Sequence, residues 1–371
     1  MRSLRIAIVT EFYYPHLGGV TEHVQNFATE LLRLGHAPFI LTPRVPGPHV
    51  DAPIVRRVGK SVVLPSNGSF ARVAVGWGLR RRIREILRRE RIDLVHVHGG
   101  LAPTLGLVAP EAAADLGIPV VLTFHSWFRR SVAYAFFRAH LQKRLDRAAA
   151  KIAVSRTTVD ALSRYFHADW QVIPNGVNTA YFHKNGRRPE DAETRGPKLL
   201  FLARLDPRNG LETVLSAMPK IAARYPRAEL TIAGSGPLRG YYERMAKPLG
   251  KHVRFLGRVY DERAEQYATS DIFLCPTEKA SFGITLLEAM ASGTPIIASD
   301  VTGFREIASE GCETLLVPPR APDAWAEATI GLLEDPSRRS AMGNAGLVKA
   351  ARYSWASVTA RVLEVYRSVL S

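Results

Sequence analysis

The sequence predicts an α/β protein built from two doubly wound domains, and three observations predict it. Short apolar runs alternate with amphipathic segments from end to end. The rhythm restarts after a charged break. The chain has 371 residues, too many for one comfortable core, so two domains are expected. LRIAIVT, DLVHVHG, PVVLTFH and KIAVS form the first set of runs, and KLLFLAR, AELTIAG, HVRFLGR, DIFLCPT and TPIIASD the second. Each is short, rich in β-branched residues and followed by a helical pattern, as in parallel sheets covered on both faces. The break, NGRRPEDAETRGPK from Asn185 to Lys198, has no periodicity and reads as a linker or a surface loop beside one. The domain boundary is expected slightly earlier, between Ile173 and Asn178. In such folds ligands bind at the carboxyl ends of the strands, here expected in the crevice between domains.

Composition narrows the class. Hydrophobic residues make up 46% of the chain, ordinary for a globular protein. Two cysteines, Cys275 and Cys312, suggest neither disulfides nor zinc, so a reducing, cytoplasmic setting is expected. The N-terminal apolar run is too short for a signal peptide and reads as a buried first strand. No apolar run is long enough to span a bilayer. The formal net charge of +16 favours anionic partners, whether nucleic acid, anionic membrane or phosphorylated ligands.

Three stretches carry chemistry. FYYPHLGGVTEHV (Phe12–Val24) follows the first strand. Gly18 and Gly19 precede a helical pattern, so backbone N–H groups there can meet a phosphate; alone, the pair reads more readily as a plain strand-to-helix turn. FLARLDPRNGLETVL (Phe201–Leu215) ends a strand near Arg204, with Arg208 close behind. A guanidinium there suits a diphosphate, since it stays charged and binds two oxygens at once; a surface arginine is the plain alternative. TEKASFGITLLEAMASGTP (Thr277–Pro295) places Ser281, Phe282 and Gly283 at a helix N-terminus and Glu288 more than a turn inside it. The first three form a natural phosphate cradle. Glu288 is suited to a ribose diol or, failing that, is a solvated helix glutamate.

In this order the motifs resemble the retaining nucleotide-sugar glycosyltransferases of the GT-B fold, family 4. The resemblance covers essentially the whole chain; IPNGVNTAYF (Ile173–Phe182), VHVHG and TFHSW also match. It implies two Rossmann-like domains facing a cleft, with residues 1–175 and a returning C-terminal helix (356–371) forming the acceptor-binding domain. Residues 176–355 would bind the nucleotide sugar. LPSNGSFARVAVG (Leu64–Gly76), followed by an arginine-rich helix, most resembles phosphatidylinositol mannosyltransferases. The resemblance implies Tyr13, Asn67, Ser69 and Arg72 on the acceptor side. His125 would face the donor hexose and Arg204 the diphosphate, with Arg208, outside the family pattern, a further candidate for the same phosphate. Gly18, Gly19, Gly234, Ser281, Phe282, Gly283, Ile284, Thr285 and Glu288 complete the donor set. No metal or other cofactor is implied beyond the GDP- or UDP-sugar co-substrate. No nucleophile at sugar-contact distance is evident, so front-face attack by the acceptor hydroxyl is expected.

Two positions depart from the family pattern. The family has lysine where this chain has Asn209, and glutamate where it has Ala280. Losing a cation beside a developing diphosphate charge slows transfer by roughly two to three orders of magnitude. A missing hexose contact weakens donor selectivity. Arg208, adjacent to Asn209, and Glu278, two residues before Ala280, are the candidate replacements, and Asn209 keeps hydrogen-bonding capacity.

The helix in GLRRRIREILRRERIDL puts Leu79, Ile83, Ile86 and Leu87 on one face and Arg80, Arg81, Arg82, Arg84 and Arg88 largely on the other. That cationic stripe suits an anionic leaflet. WFRRSVAYAFFRAH (Trp127–His140) mixes aromatics and arginines, which suits a membrane interface or a core-packed helix with a basic face. The sequence holds no nucleic-acid-binding signature. The reading is a peripheral-membrane transferase moving mannose from GDP-mannose to phosphatidylinositol. The alternatives are a UDP-sugar transferase acting on diacylglycerol or a soluble glycan, and a catalytically silent protein that binds nucleotide, membrane or a partner. Nucleic-acid binding remains a further rival, and oligomeric state is open.

Overall fold

The computed structural model describes residues 2–16, 18–46, 50–66, 69–101, 104–128, 130–183, 196–260 and 262–371, without the side chains of 63–66 and 69–72. The chain divides into two compact units, Met1–Gly176 with Trp355–Ser371, and Val177–Ser354.

The first unit begins with β1 (Arg5–Thr10), α1 (Gly19–Arg33), β2 (Ala37–Arg44), β3 (Val55–Ser66), β4 (Ser69–Val75) and α2 (Leu79–Arg89). It continues through β5 (Leu94–His98), α3 (Leu105–Ala114), β6 (Val120–Phe124), α4 (Val132–Phe136), α5 (Arg138–Asp146), β7 (Ala150–Ala153), α6 (Arg156–Ser163) and β8 (Trp170–Val172). Its eight-stranded sheet has the order β4-β3-β2-β1-β5-β6-β7-β8. Neighbours are parallel except the β3–β4 hairpin. Alternation along β1 explains its burial: Ala7 and Val9 enter one core, Ile6 and Ile8 the other.

The second unit holds β9 (Lys198–Leu202), a 3₁₀ turn (Pro207–Asn209), α7 (Leu211–Arg224), β10 (Glu229–Ala233), α8 (Arg239–Ala246), β11 (Val253–Gly257) and α9 (Arg263–Ala268). Then come β12 (Ile272–Cys275), α10 (Ile284–Ala291), β13 (Ile296–Ser299), α11 (Thr302–Arg305), β14 (Thr314–Val317), α12 (Pro322–Glu334) and α13 (Pro336–Ala351). The order is β11-β10-β9-β12-β13-β14, all parallel, the doubly wound arrangement. Proline opens both α12 and α13, where its missing N–H costs nothing.

The last helix, α14 (Trp355–Leu370), belongs to the first unit. It buries Val358, Val362 and Tyr366 in the core that holds Ile6, Ile8 and Phe27. Each such side chain contributes about 1.5–3 kcal/mol of burial. The return of the C-terminal helix, expected from the family resemblance, is therefore present. On α2 the apolar positions Leu79, Ile83 and Leu87 are buried, as their spacing predicts, and Ile86 is partly buried. No described helix is long and apolar enough to cross a membrane.

Candidate active site

In the first unit the strand order reverses at β1 and β5, where ligands gather in doubly wound folds. The carboxyl ends of β1, β5 and β6 deliver Glu11, His98 and His125, while α1 supplies His23 from its buried face. His98 Nδ1 lies 3.1 Å from His125 Nε2, and His23 Nδ1 lies 2.8 Å from Asn175 Oδ1. Behind them His96 is held at both ring nitrogens, by Tyr366 and Thr123 at 2.6 Å each. Burial disfavours the imidazolium in all four. His23 falls to about 4 and His96 to about 3; His98 and His125 lie well below the usual value, through burial and then neighbouring histidines. The cluster is neutral at pH 7.

Glu11 is a second buried group. One carboxylate oxygen accepts from Leu105 N (2.7 Å), the other from Ala74 N (2.8 Å). It thus joins the first turn of α3 to β4. Burial raises its pKa against the opposing pull of hydrogen bonds from Thr104, Leu105 and Ala74. Glu11, Thr10, Thr104 and His98 share the lining of a cavity of about 90 Å³.

In the second unit, residues after β9, β10 and β12 carry the polar groups. Asp206 Oδ2 meets Arg204 Nε at 3.0 Å and Arg208 Nε at 3.6 Å, so both guanidinium groups lean on one nearly buried carboxylate. Asn209 turns inward: its Nδ2 donates to Arg204 O at 2.7 Å. Asn209 therefore fastens its own loop, where a lysine would extend a cation. Glu278 N donates to Arg208 O at 2.8 Å, joining this loop to the one after β12. The Glu278 side chain forms a two-point ion pair with Arg320, at 2.7 and 2.6 Å. As placed, Glu278 is occupied by Arg320.

Gly283 caps α10 with φ 134, a backbone region that side chains disfavour; a Cβ there would press on Phe304 and Ile307 at 3.0 Å. Gly234 has φ 146, and a Cβ would meet Ala203 O at 1.9 Å. Glycine is thus required at both positions by the backbone itself. Phe282 is buried in the core, and Ser281, Ile284 and Thr285 are half-buried beside it. Glu288 is buried, accepting from Tyr267 Oη at 2.9 Å and paired with Arg263 at 3.5 Å. The solvated alternative for Glu288 is excluded by this burial.

Other expected residues are placed as follows. Gly18 is the N-cap of α1 in extended backbone and Gly19 its first residue. A Cβ on Gly18 would meet nothing within 4 Å. Tyr13 is buried, its hydroxyl bonded to Gln25, and burial pushes its pKa up to about 12. Asn67 lies outside the described residues; Ser69 and Arg72 are placed in β4 by backbone alone, with Ser69 opposite Ser66 and Arg72 opposite Val63. The α2 stripe is partly neutralised. Arg80 pairs with Asp115 and Glu111, Arg84 with Asp115, and Arg81 with Glu85. Arg82 and Arg88 are exposed, with no ion pair among the described residues. In the second basic stretch Phe128 is buried, whereas Val132, Phe136 and Phe137 are exposed; Arg129 lies outside the described residues.

The sequence reading missed His23, His98 and Asn175 as a constellation, and Asp206, Tyr267, Arg263 and Arg320 as partners. Each motif was visible; the long-range pairing was not.

Two doubly wound sheets, parallel but for the β3–β4 hairpin, with polar residues at their strand ends define a GT-B glycosyltransferase fold. A glycosyltransferase from Rickettsia africae superposes with a TM-score of 0.78 at 19% identity over 100% of both chains. Residues 17–181 match Glycosyltransferase Family 4, and residues 196–335 match Glycosyl transferases group 1. The chain belongs to the family 4 glycosyltransferases. It is 35% identical to a phosphatidyl-myo-inositol mannosyltransferase of Mycolicibacterium smegmatis, covering 99% of this chain and 94% of the relative. It is 28% identical to a GDP-mannose-dependent monoacylated alpha-(1-6)-phosphatidylinositol monomannoside mannosyltransferase of Corynebacterium glutamicum, covering 99% and 98%.

Proposed function

We propose that the chain transfers mannose from GDP-mannose to phosphatidylinositol or a close derivative, with retention of anomeric configuration, at an anionic membrane surface. One observation carries this reading. Arg204, Arg208, Gly234, Gly283 and Glu288 share the strand-end edge of the second unit, in a chain whose full-length relatives include phosphatidyl-myo-inositol mannosyltransferases. The two arginines and the N–H groups at the start of α10 neutralise the diphosphate as its bond to the sugar breaks. Glu288, held by Tyr267 and Arg263, receives the ribose diol. His125, neutral in its buried cluster, contacts the hexose and does not act as an acid. The acceptor hydroxyl attacks from the face the diphosphate leaves and passes its proton to the departing diphosphate oxygen, which retains configuration without a covalent intermediate. Arg82 and Arg88, which have no ion pair among the described residues, meet anionic headgroups.

The test is nucleotide release from GDP-mannose and UDP-glucose, with and without phosphatidylinositol vesicles. GDP release stimulated by the vesicles is expected. Binding of GDP without release under any acceptor condition would overturn the transferase reading. Ala280→Glu restores the carboxylate usual in the family and is expected to sharpen preference for one donor, read as the ratio of kcat/KM values.

A further inference from the structure

One ring nitrogen from each of His23, His98 and His125 lies within 4.8 Å of the others. The three come from separate elements: α1, the end of β5 and the residue after β6. Their mutual approach is therefore a product of the fold. His98 Nδ1 and His125 Nε2 are already 3.1 Å apart. Two imidazoles on one tetrahedral zinc stand about 3.3 Å apart, given zinc–nitrogen bonds of 2.0–2.1 Å. Three atoms no more than 4.8 Å apart fit within a circle of radius about 2.8 Å, so inward shifts of under about 1 Å complete the coordination distance.

The surroundings suit a metal. His23 Nδ1 faces the Asn175 carbonyl at 2.8 Å, which favours a proton on Nδ1 and leaves the lone pair on Nε2; a ligating histidine is commonly oriented in this way. His98 Nε2 is buried and has no hydrogen-bond partner among the described residues. With neutral His98 protonated at Nε2 and neutral His125 protonated at Nδ1, both facing nitrogens present lone pairs. His98 also borders the 90 Å³ cavity with Thr10, Glu11 and Thr104.

We propose that His23, His98 and His125 form a three-histidine site for a divalent transition ion of the zinc class. Imidazole donors select Zn²⁺, Co²⁺, Ni²⁺ or Cu²⁺ over Mg²⁺ and Ca²⁺. Because His125 is also the residue that contacts the hexose in the proposed reaction, ion binding and sugar binding compete there. That consequence rests on the proposed function; the site itself does not.

The experiment is a Co²⁺ titration of the full chain, prepared without a polyhistidine tag and treated with chelator. One Co²⁺ per chain, with the intense visible absorption of tetrahedral cobalt and displacement by Zn²⁺, is expected. His23→Ala and His98→Ala each weaken binding by at least about 100-fold, and Asn175→Ala by about 10–100-fold. His140→Ala, at an exposed histidine outside the cluster, leaves binding unchanged. If an alanine variant fails to fold, X-ray absorption of the zinc-loaded natural chain counts its imidazole ligands. Absence of stoichiometric tetrahedral binding, survival of binding in folded His98→Ala, or fewer than three imidazoles on the zinc overturns the proposal. Zn²⁺ binding without change in GDP release would overturn only the competition.

Discussion

Asp206 shows why single residues in the second unit resist reading from sequence. LDPRN advertises its cations, yet the structure gives both Arg204 and Arg208 the same acidic neighbour. The buried carboxylate sets where the guanidinium groups rest. Asp206→Ala leaves two like charges without their shared partner and is expected to destabilise the chain by about 1–3 kcal/mol, measured by denaturant midpoint. Asn209, read as a missing cation, is instead a hydrogen-bonded clamp on Arg204 O. Its replacement by alanine is expected to cost about 1 kcal/mol in the same measurement. The cysteines divide sharply: Cys312 is exposed, while Cys275 is buried with its thiol pushed up to about 11. Iodoacetamide at pH 8 should therefore add one label to the native chain, on Cys312, and two after unfolding, counted by mass spectrometry.

At the scale of elements, Glu11 couples β4 to α3 across a long stretch of sequence. Burial holds its carboxyl above the ordinary 4.5, so the folded chain keeps this proton to higher pH than the unfolded chain does. Stability from this group is full below about 4.5 and is lost as pH rises through the raised pKa. Glu11→Gln cannot ionise. Its stability relative to the natural chain should rise between pH 4.5 and 8, as read from paired thermal melts. The α2 helix yields a different contrast. Arg80 and Arg84 have their charge partly answered by Asp115, while Arg82 and Arg88 have no ion pair among the described residues. Arg82→Gln with Arg88→Gln should weaken binding to anionic vesicles by roughly tenfold or more, since each cation near the leaflet is worth about 1 kcal/mol. Arg80→Gln with Arg84→Gln should weaken it less. Vesicle sedimentation at fixed salt distinguishes the pairs.

For the whole molecule, the fold class was legible because buried parallel strands write themselves as apolar runs, and β1, β5, β6, β9, β10 and β12 all fall on runs visible in the sequence. The β3–β4 hairpin was not, since LPSNGSFARVAVG lacks a continuous apolar run and draws its order from pairing. The donor motifs were legible as motifs; their partners were not. Glu288 finds Tyr267 from α9, Glu278 finds Arg320 after β14, and His23 finds Asn175 from 152 positions away. Such pairs are chosen by the sheet order, which no local pattern encodes. The net charge of +16 belongs to this scale as well. Its attraction to anionic surfaces should weaken steeply with salt, as the Debye length contracts from about 10 Å at 0.1 M to 3 Å at 1 M.

The chain enters its second unit at Val177 and leaves it at Ser354, while α14 goes back to the first. Gly176 is where the two crossings of the first unit meet, so close to the Trp355 indole that a Cβ would stand 2.6 Å from it. Synthesis proceeds from the N-terminus and domains generally fold as units during it. The first unit is begun early but cannot cover Ile6, Ile8 and Phe27 with Val358, Val362 and Tyr366 until those residues have left the ribosome. The second unit, inserted whole, has all its strands before that moment. The domain started first is thus the one finished last, and in the interval its sheet carries an uncovered apolar face, the period in which a nascent chain most needs a chaperone.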